Sequence, residues 1–170
     1  SIFAYRPQDG TVKPLIENGR DVAFSRDGTQ LAFVRDDGVF LAAADGSTVR
    51  QVAAQSNAAA PQWADDGSKV LFEANNGIWV VELPNGQPRR IVTGTAPAWA
   101  PDGKRIAYVT RAPDAGSNAA RRNQLRLTNW RGENDWPVVR VLPPELYERV
   151  AAVMDPVAMT AAGRARYQLL

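Results

Sequence analysis

The chain has 170 residues, 45% of them hydrophobic, and 20 Lys and Arg against 18 Asp and Glu leave a formal net charge of +2. That is enough apolar material for one substantial core and too little charge for a general polyanion binder, so no nucleic-acid partner is expected. With no His and no Cys, disulfides, thiolate chemistry, most zinc sites and any His-dependent triad are excluded, and no apolar run approaches the roughly 18 residues of a membrane span.

Residues 1–19 read as two short strands around a turn at Gln8-Asp9-Gly10. Three longer segments follow, and they are copies of one another. The first contains Val22-Ala23-Phe24-Ser25-Arg26-Asp27-Gly28-Thr29-Gln30-Leu31-Ala32-Phe33-Val34, the second Pro61-Gln62-Trp63-Ala64-Asp65-Asp66-Gly67-Ser68-Lys69-Val70-Leu71-Phe72-Glu73, and the third Pro97-Ala98-Trp99-Ala100-Pro101-Asp102-Gly103-Lys104-Arg105-Ile106-Ala107-Tyr108-Val109. Gly28 and Gly67 are 39 residues apart, and Gly67 and Gly103 are 36 apart. A repeat of that period marks stacked units such as propeller blades.

Each copy reads as a β-hairpin. An apolar strand ends in an aromatic residue, Asp-Gly supplies the tight turn, and a second strand alternates Leu31/Phe33, Val70/Phe72 or Ile106/Tyr108. A second hairpin completes each unit. Val39-Phe40-Leu41 leads to Asp45-Gly46, and Ile78-Trp79-Val80-Val81 leads to Asn85-Gly86. Residues 1–19 match these second hairpins, so they read as half a unit. The expected repeats are about 20–57, 58–94 and 95–142, with a half unit at 1–19. Its exposed strand edge invites pairing, either with residues 167–170, with a second copy or with further chain.

The third unit departs from the other two. Where they have Arg35-Asp36-Asp37-Gly38 and Ala74-Asn75-Asn76-Gly77, it carries an insertion over 111–123, and its last strands are expected at 125–130 and 138–142. From Pro143-Pro144 the pattern turns helical, so 143–170 reads as a short helical C-terminal tail.

Asp27, Asp66 and Asp102 suit hairpin turns that bond their own backbone better than a calcium site or an acid/base pair. Phe24, Trp63 and Trp99 share one repeat position and are read as packing between units, where one ring covers on the order of 150–250 Å². Trp130 and Trp136 break the repeat and read as local contacts. The pair Arg89-Arg90 reads as solvated, and Ser25, Ser47, Ser56, Ser68 and Ser117 lack a Gly-x-Ser-x-Gly setting.

The segment from Pro97 to Tyr108, together with Gly77-Ile78-Trp79-Val80-Val81 and Arg89-Arg90-Ile91-Val92-Thr93, resembles the repeat of TolB-like β-propellers, also called WD40-like or PD40 repeats. The resemblance covers about residues 1–142. It implies an all-β fold of four-stranded antiparallel blades, about three and a half of them here, and it favours a periplasmic or extracytoplasmic setting. It also implies one of two roles: a binding scaffold, or the gating propeller of a larger prolyl-oligopeptidase-like hydrolase.

The residues favour a non-catalytic scaffold that binds a protein or peptide and needs no cofactor or metal. A sugar or small ligand in the central channel is the third reading. In a four-stranded blade the Asp-Gly turns share one face, and the second-to-third and blade-to-blade connections share the other. Irregular loops on a rigid scaffold are where binding resides. The expected partner-binding residues are therefore Arg111, Arg121 and Arg122 of the insertion with Asp36, Asp37, Asn75 and Asn76, and a carboxylate-bearing peptide or acidic patch is the expected partner.

Overall fold

The structure, a computed structural model, describes residues 1–111, 123–137, 139–140 and 168–169. All its elements are strands. β1 (Ile2–Arg6) and β2 (Thr11–Ile16) form a two-stranded sheet. Blade one is β3 (Arg20–Phe24), β4 (Gln30–Arg35), β5 (Gly38–Ala43) and β6 (Arg50–Ala53); blade two is β7 (Ala59–Trp63), β8 (Lys69–Ala74), β9 (Gly77–Glu82) and β10 (Arg89–Thr93). Blade three is β11 (Thr95–Trp99), β12 (Arg105–Arg111), β13 (Asn123–Asn129) and β14 (Trp136–Pro137). Within each blade the strands are antiparallel and lie in chain order. Turns stand at all six expected Asp-Gly and Asn-Gly positions.

Alternation decides which face of each strand goes inward. Along β4, Leu31 and Phe33 face the β1–β2 half-sheet with Ile16, Phe40 and Ala42, while Ala32 and Val34 face blade two. Blade two repeats this: Val70, Phe72 and Ala74 meet blade one, and Leu71, Ile78 and Val80 meet blade three beside Ile106 and Tyr108. The core is therefore a series of layers between sheets. Phe33 and Phe72 are wholly buried, each contributing about 1.5–3 kcal/mol by leaving water. Each stacks on its cross-strand partner, Phe33 on Phe40 with centroids 5.7 Å apart and Phe72 on Trp79 at 6.4 Å.

The first strand of every blade is bulged at one place. The register shifts between Arg20 and Ala23, between Ala59 and Gln62, and between Thr95 and Ala98. The residue inside each shift has a positive φ: 48° at Asp21, 49° at Ala60 and 51° at Ala96. A non-glycine residue pays strain there. Blades two and three offset it across the blade interface, where Asp21 Oδ2 accepts the Ala60 N–H at 3.3 Å and Glu73 Oε1 accepts the Ala96 N–H at 2.8 Å.

Three expectations need correction. Phe24 does not pack between blades as Trp63 and Trp99 do; it is 61% exposed, because the half-sheet covers β4 and leaves β3 bare. The fourth strand of blade three is the short β14, with Leu127 opposite Trp136 and Arg126 opposite Pro137. Pro137 has no N–H to extend the ladder, and the next strand, β15 (Val139–Arg140), pairs instead with β16 (Gln168–Leu169). Thus 168–169 form a strand, as the sequence suggested, but against β15 and not against the half-sheet. The expected tail helices over 143–162 lie outside the described residues.

Gly38 gives the tightest test of this packing. Its φ is +149°, and a Cβ there would stand 1.9 Å from the backbone oxygen of Ala53. At Gly67, with φ +70°, a Cβ would meet nothing within 4 Å. Thermal denaturation of Gly67→Ala should show a loss of about 1–2 kcal/mol from the left-handed backbone alone. Gly38→Ala should lose ~3 kcal/mol or more, because backbone must move as well.

Candidate functional site

The blades present two loop faces of different chemistry. On the first lie the Asp-Gly turns, and each carboxylate is turned back on its own hairpin. Asp27 Oδ1 accepts the Thr29 N–H at 3.1 Å and the Ser25 hydroxyl at 2.6 Å; Asp45 and Asp66 hold Ser47 and Ser68 through backbone N–H bonds of 2.9 Å and hydroxyl bonds of 2.6 Å. Asp102 accepts from the Lys104 N–H at 2.9 Å and Arg105 Nε at 2.8 Å, and Asp9 from the Thr11 N–H at 2.9 Å. These donors favour the ionised form and hold all five carboxyls below the usual range. They are spent on turns. A cleft of about 390 Å³ opens on this face between blades one and two, lined by Trp63, Gln30 and the Arg26–Asp65 ion pair among others.

Trp63 shows how the cleft wall is held. Its indole Nε1 donates to the Ala23 carbonyl of the preceding blade at 3.1 Å. Trp130 lies on the same side of the molecule and gathers three cations over its ring: Lys69 Nζ at 4.9 Å, the Arg131 guanidinium at 4.9 Å and that of Arg89 at 5.9 Å. Arg89 also donates to the Arg131 carbonyl at 2.7 Å, and Arg90 to the Asn76 carbonyl at 3.3 Å. The Arg pair read as solvated thus ties strand to loop, and Trp130 makes the local contact expected of it.

The second face carries the connections the sequence singled out. Asp36 and Asp37 form a two-residue hairpin closed by the Arg35–Gly38 pair, and Asn75 and Asn76 form one closed by Ala74–Gly77. The Asp36 carboxylate is fully exposed and bonded to Arg20 at 2.8 Å, while Gln51 Nε2 donates to the Asp37 carbonyl at 3.0 Å. Asn75 and Asn76 have φ of 50° and 56°, as a tight two-residue turn requires. Asn57 Nδ2 donates to Asn75 Oδ1 at 3.1 Å, and the Asn75 amide donates to the Ser56 carbonyl at 3.3 Å. These four residues therefore sit on one braced face. Arg111 ends β12 opposite Asn123 at the same end of its blade, and Arg121 and Arg122 lie outside the described residues.

Sequence reading missed a network in blade three. At the position where the other blades stack Phe33 on Phe40 and Phe72 on Trp79, this blade pairs Tyr108 with Arg126. The Tyr108 hydroxyl donates to Asp135 Oδ1 at 2.7 Å, and Arg126 Nε donates to both Asp135 oxygens at 2.9 and 3.0 Å. Aromatic and cationic residues at paired repeat positions were the available signal. Their acceptor stands in a turn that departs from the repeat, so spacing could not locate it. Among the described residues no group of three acidic side chains converges as metal ligands would, and no helix is long and apolar enough to cross a membrane.

Successive four-stranded antiparallel sheets packed face to face, each bracing the next, define a β-propeller fold. No family model and no curated relative matches the chain. Among solved structures it is similar to TolB from Acinetobacter baumannii, at 18% identity and a TM-score of 0.57, over 80% of this chain and 37% of that one. It is similar to the β-propeller domain of the Trilobed protease from Pyrococcus furiosus, at 12% identity and a TM-score of 0.60, over 82% of this chain and 51% of that domain. A chain of the nidogen/laminin complex matches at 12% identity and a TM-score of 0.53, over 75% of this chain and 51% of its own. The chain thus spans about half or less of the length of these neighbours. The resemblance to TolB-like propellers holds at the level of fold.

Tyr108 offers a readout of the blade-three network. Burial, and then the Asp135 carboxylate, push its phenol up to about 12 from the usual 10. A raised folded-state pKa contributes stability that is complete below the unfolded value and is lost as pH rises through the folded one. Denaturant unfolding of Tyr108→Phe at pH 8 should show a loss of about 1 kcal/mol, one net hydrogen bond. That difference from the parent chain should shrink between pH 10 and pH 12.

Proposed function

We propose that this propeller is a non-catalytic scaffold that binds a protein or peptide partner through its second loop face. What carries the reading is the contrast between the faces. Carboxylates of the Asp-Gly face are consumed by their own turns, whereas the opposite face holds Asp36 fully exposed on a hairpin that leaves its backbone little freedom. Asn75 is fixed on the same face by Asn57 and Ser56, and the Asn76 carbonyl by Arg90 and the Gly94 N–H. A rigid frame that presents irregular loops loses little entropy on binding. Arg111, Arg121 and Arg122 supply the cations, and the partner is an acidic peptide or an acidic protein patch with Arg121 and Arg122 as its anchors. One fold neighbour is a chain of what its printed name calls a nidogen/laminin complex, and this supports the reading.

A second reading rests on the protease neighbour: this propeller filters peptides for a hydrolase. A Gly-x-Ser-x-Gly segment continuous with this chain in one reading frame would favour it.

Peptides selected from a random library against the chain should be acidic. Arg121→Glu with Arg122→Glu should leave the melting temperature within about 1 °C while weakening the selected peptides by roughly 2 kcal/mol, as loss of anchor arginines does. Affinity that survives both reversals would place the site elsewhere. Ester and peptide substrates should be turned over no faster than in buffer. Ser25 donates its hydroxyl to Asp27 at 2.6 Å and accepts the Gln30 N–H at 3.0 Å, and Asp27, held below the usual carboxylate range by the Ser25 and Thr29 donors, is too weak a base to activate a nucleophile. Turnover abolished by Ser25→Ala would refute the scaffold reading.

A further inference from the structure

One interface of the propeller is built like the others on one side only. In blades two and three the first strand packs over two strands of the blade before it: β7 over β3 and β4, β11 over β8 and β9. The residues that meet the preceding blade are Pro61 and Trp63 in β7, Pro97 and Trp99 in β11. Both prolines are buried and both tryptophans half-buried. The same positions in β3 are Val22, 43% exposed, and Phe24, 61% exposed. Nothing among the described residues covers them.

The neighbouring half-sheet is open at the adjoining edge. β1 matches the third strand of a blade, and the third strands β5 and β9 are paired on both sides, whereas among the described residues β1 pairs only with β2. Two donors at this corner also lack acceptors among the described residues, and for one of them the other blades show what the acceptor is. The bulged amides of Ala60 and Ala96 each reach a carboxylate of the preceding blade. No side chain among the described residues accepts the equivalent N–H of Asp21. Arg35 lies over the Phe33 and Phe40 rings on the same side, 5.4 and 5.1 Å from their centroids, and its Nε is buried without an acceptor. Asp21 and Arg35 flank the cross-strand pair Arg20–Val34, so both donors stand at one end of β3 and β4. A buried unpaired donor destabilises the fold, and an incoming carboxylate would satisfy it.

We propose that the free edge of β1 and the bare face of β3 form a docking site for a two-stranded β-hairpin bearing a carboxylate near the end of its second strand. The hairpin adds its second strand to β1, lays its first strand over Val22 and Phe24, and brings the carboxylate to the Asp21 N–H and Arg35. Edge addition supplies main-chain hydrogen bonds, and the apolar face and the charge supply selectivity. The molecule contains a template for the occupant. β7 and β8 are such a hairpin, and against blade three Glu73 accepts the Ala96 N–H while Gln62 Nε2 donates to the Pro97 carbonyl at 2.6 Å. Set against blade one, the same groups would meet the Asp21 N–H and the Val22 carbonyl.

A symmetric second copy fits less well. Antiparallel β1–β1 pairing requires a two-fold axis normal to the joined sheet, and that puts both copies of blade one on the same side, competing for the space over β3. Arg35 adjoins the Asp36–Asp37 hairpin of the loop face, but the β1 edge, Val22 and Phe24 do not belong to that face, so failure of this site would leave the scaffold reading standing, and the converse also holds.

The test uses the full 170-residue chain and a fluorescein-labelled synthetic peptide with the sequence of residues 59–74, followed by anisotropy. Binding should saturate below ~1 mM and weaken at least about tenfold with Val22→Asp/Phe24→Asp in the chain or with Glu73→Ala in the peptide. Both chain positions are exposed, so melting should be unchanged, and an amide chemical shift at Asp21 should move with peptide in the parent chain. Absence of saturation, or binding indifferent to both sets of changes, overturns the proposal. So does a dimer in sedimentation equilibrium that Val22→Asp/Phe24→Asp dissolves and the peptide does not displace, which assigns the face to a second copy.

Discussion

In blades two and three the face of the first strand is buried against the blade before it. That face carries an aromatic ring and a strained, bulged amide, which sets a need for partners across the interface. Trp63 meets it by reaching the Ala23 carbonyl and Ala60 by reaching the Asp21 carboxylate; Ala96 does so through Glu73. The requirement sets the layered core and orients the blades. It fixes which turns share a face, and it explains why β3, with no such neighbour among the described residues, leaves Val22 and Phe24 in water.

The division between the two faces follows from turn chemistry. In the Asp-Gly turns the carboxylate accepts from the residues that follow it, in addition to the backbone bond that closes the turn, so it is committed before any partner arrives. The Asn75-Asn76 hairpin closes through its backbone angles, which leaves its side chains to neighbours such as Asn57. Placing irregular connections on the second face therefore costs the frame little. Among the described residues the chemistry available there is that of Asp36, Asp37, Asn75 and Asn76.

Much of the fold was legible in the sequence because hairpins are local. Asp-Gly and Asn-Gly mark turns, alternation marks faces, and three copies of one segment mark blades. Contacts between blades were less legible. Phe24 occupies the same repeat position as Trp63 and Trp99, and only the neighbour it lacks distinguishes it. The acceptor of the Ala96 amide is Glu73, on the second strand of its blade, whereas that of Ala60 is Asp21, on the first, so even a conserved geometric need is met from different positions. In blade three Pro137 ended a strand that apolar patterning had started a residue later. The Tyr108–Asp135–Arg126 network escaped because Asp135 belongs to no repeat. Of the loop-face residues, Asp36, Asp37, Asn75 and Asn76 fell at one end of the blades by topology alone.

Layered packing also governs how the chain comes apart. Each sheet touches only its immediate neighbours, so cohesion is a sum over successive interfaces and no single element holds the whole. Leu71, Ile78, Val80, Ile106 and Tyr108 form the interface between blades two and three, and Ala32, Val34, Val70 and Phe72 that between blades one and two. Blade two thus has a partner on each side. Among the described residues the half-sheet has a partner on one side only and is held through Ile2, Leu15 and Ile16. Opening runs inward from that margin, and amide protons of β1 and β2 trade with solvent long before those of β8 and β9. The propeller behaves as a short stack that frays, with its cooperativity reaching little further than adjacent sheets.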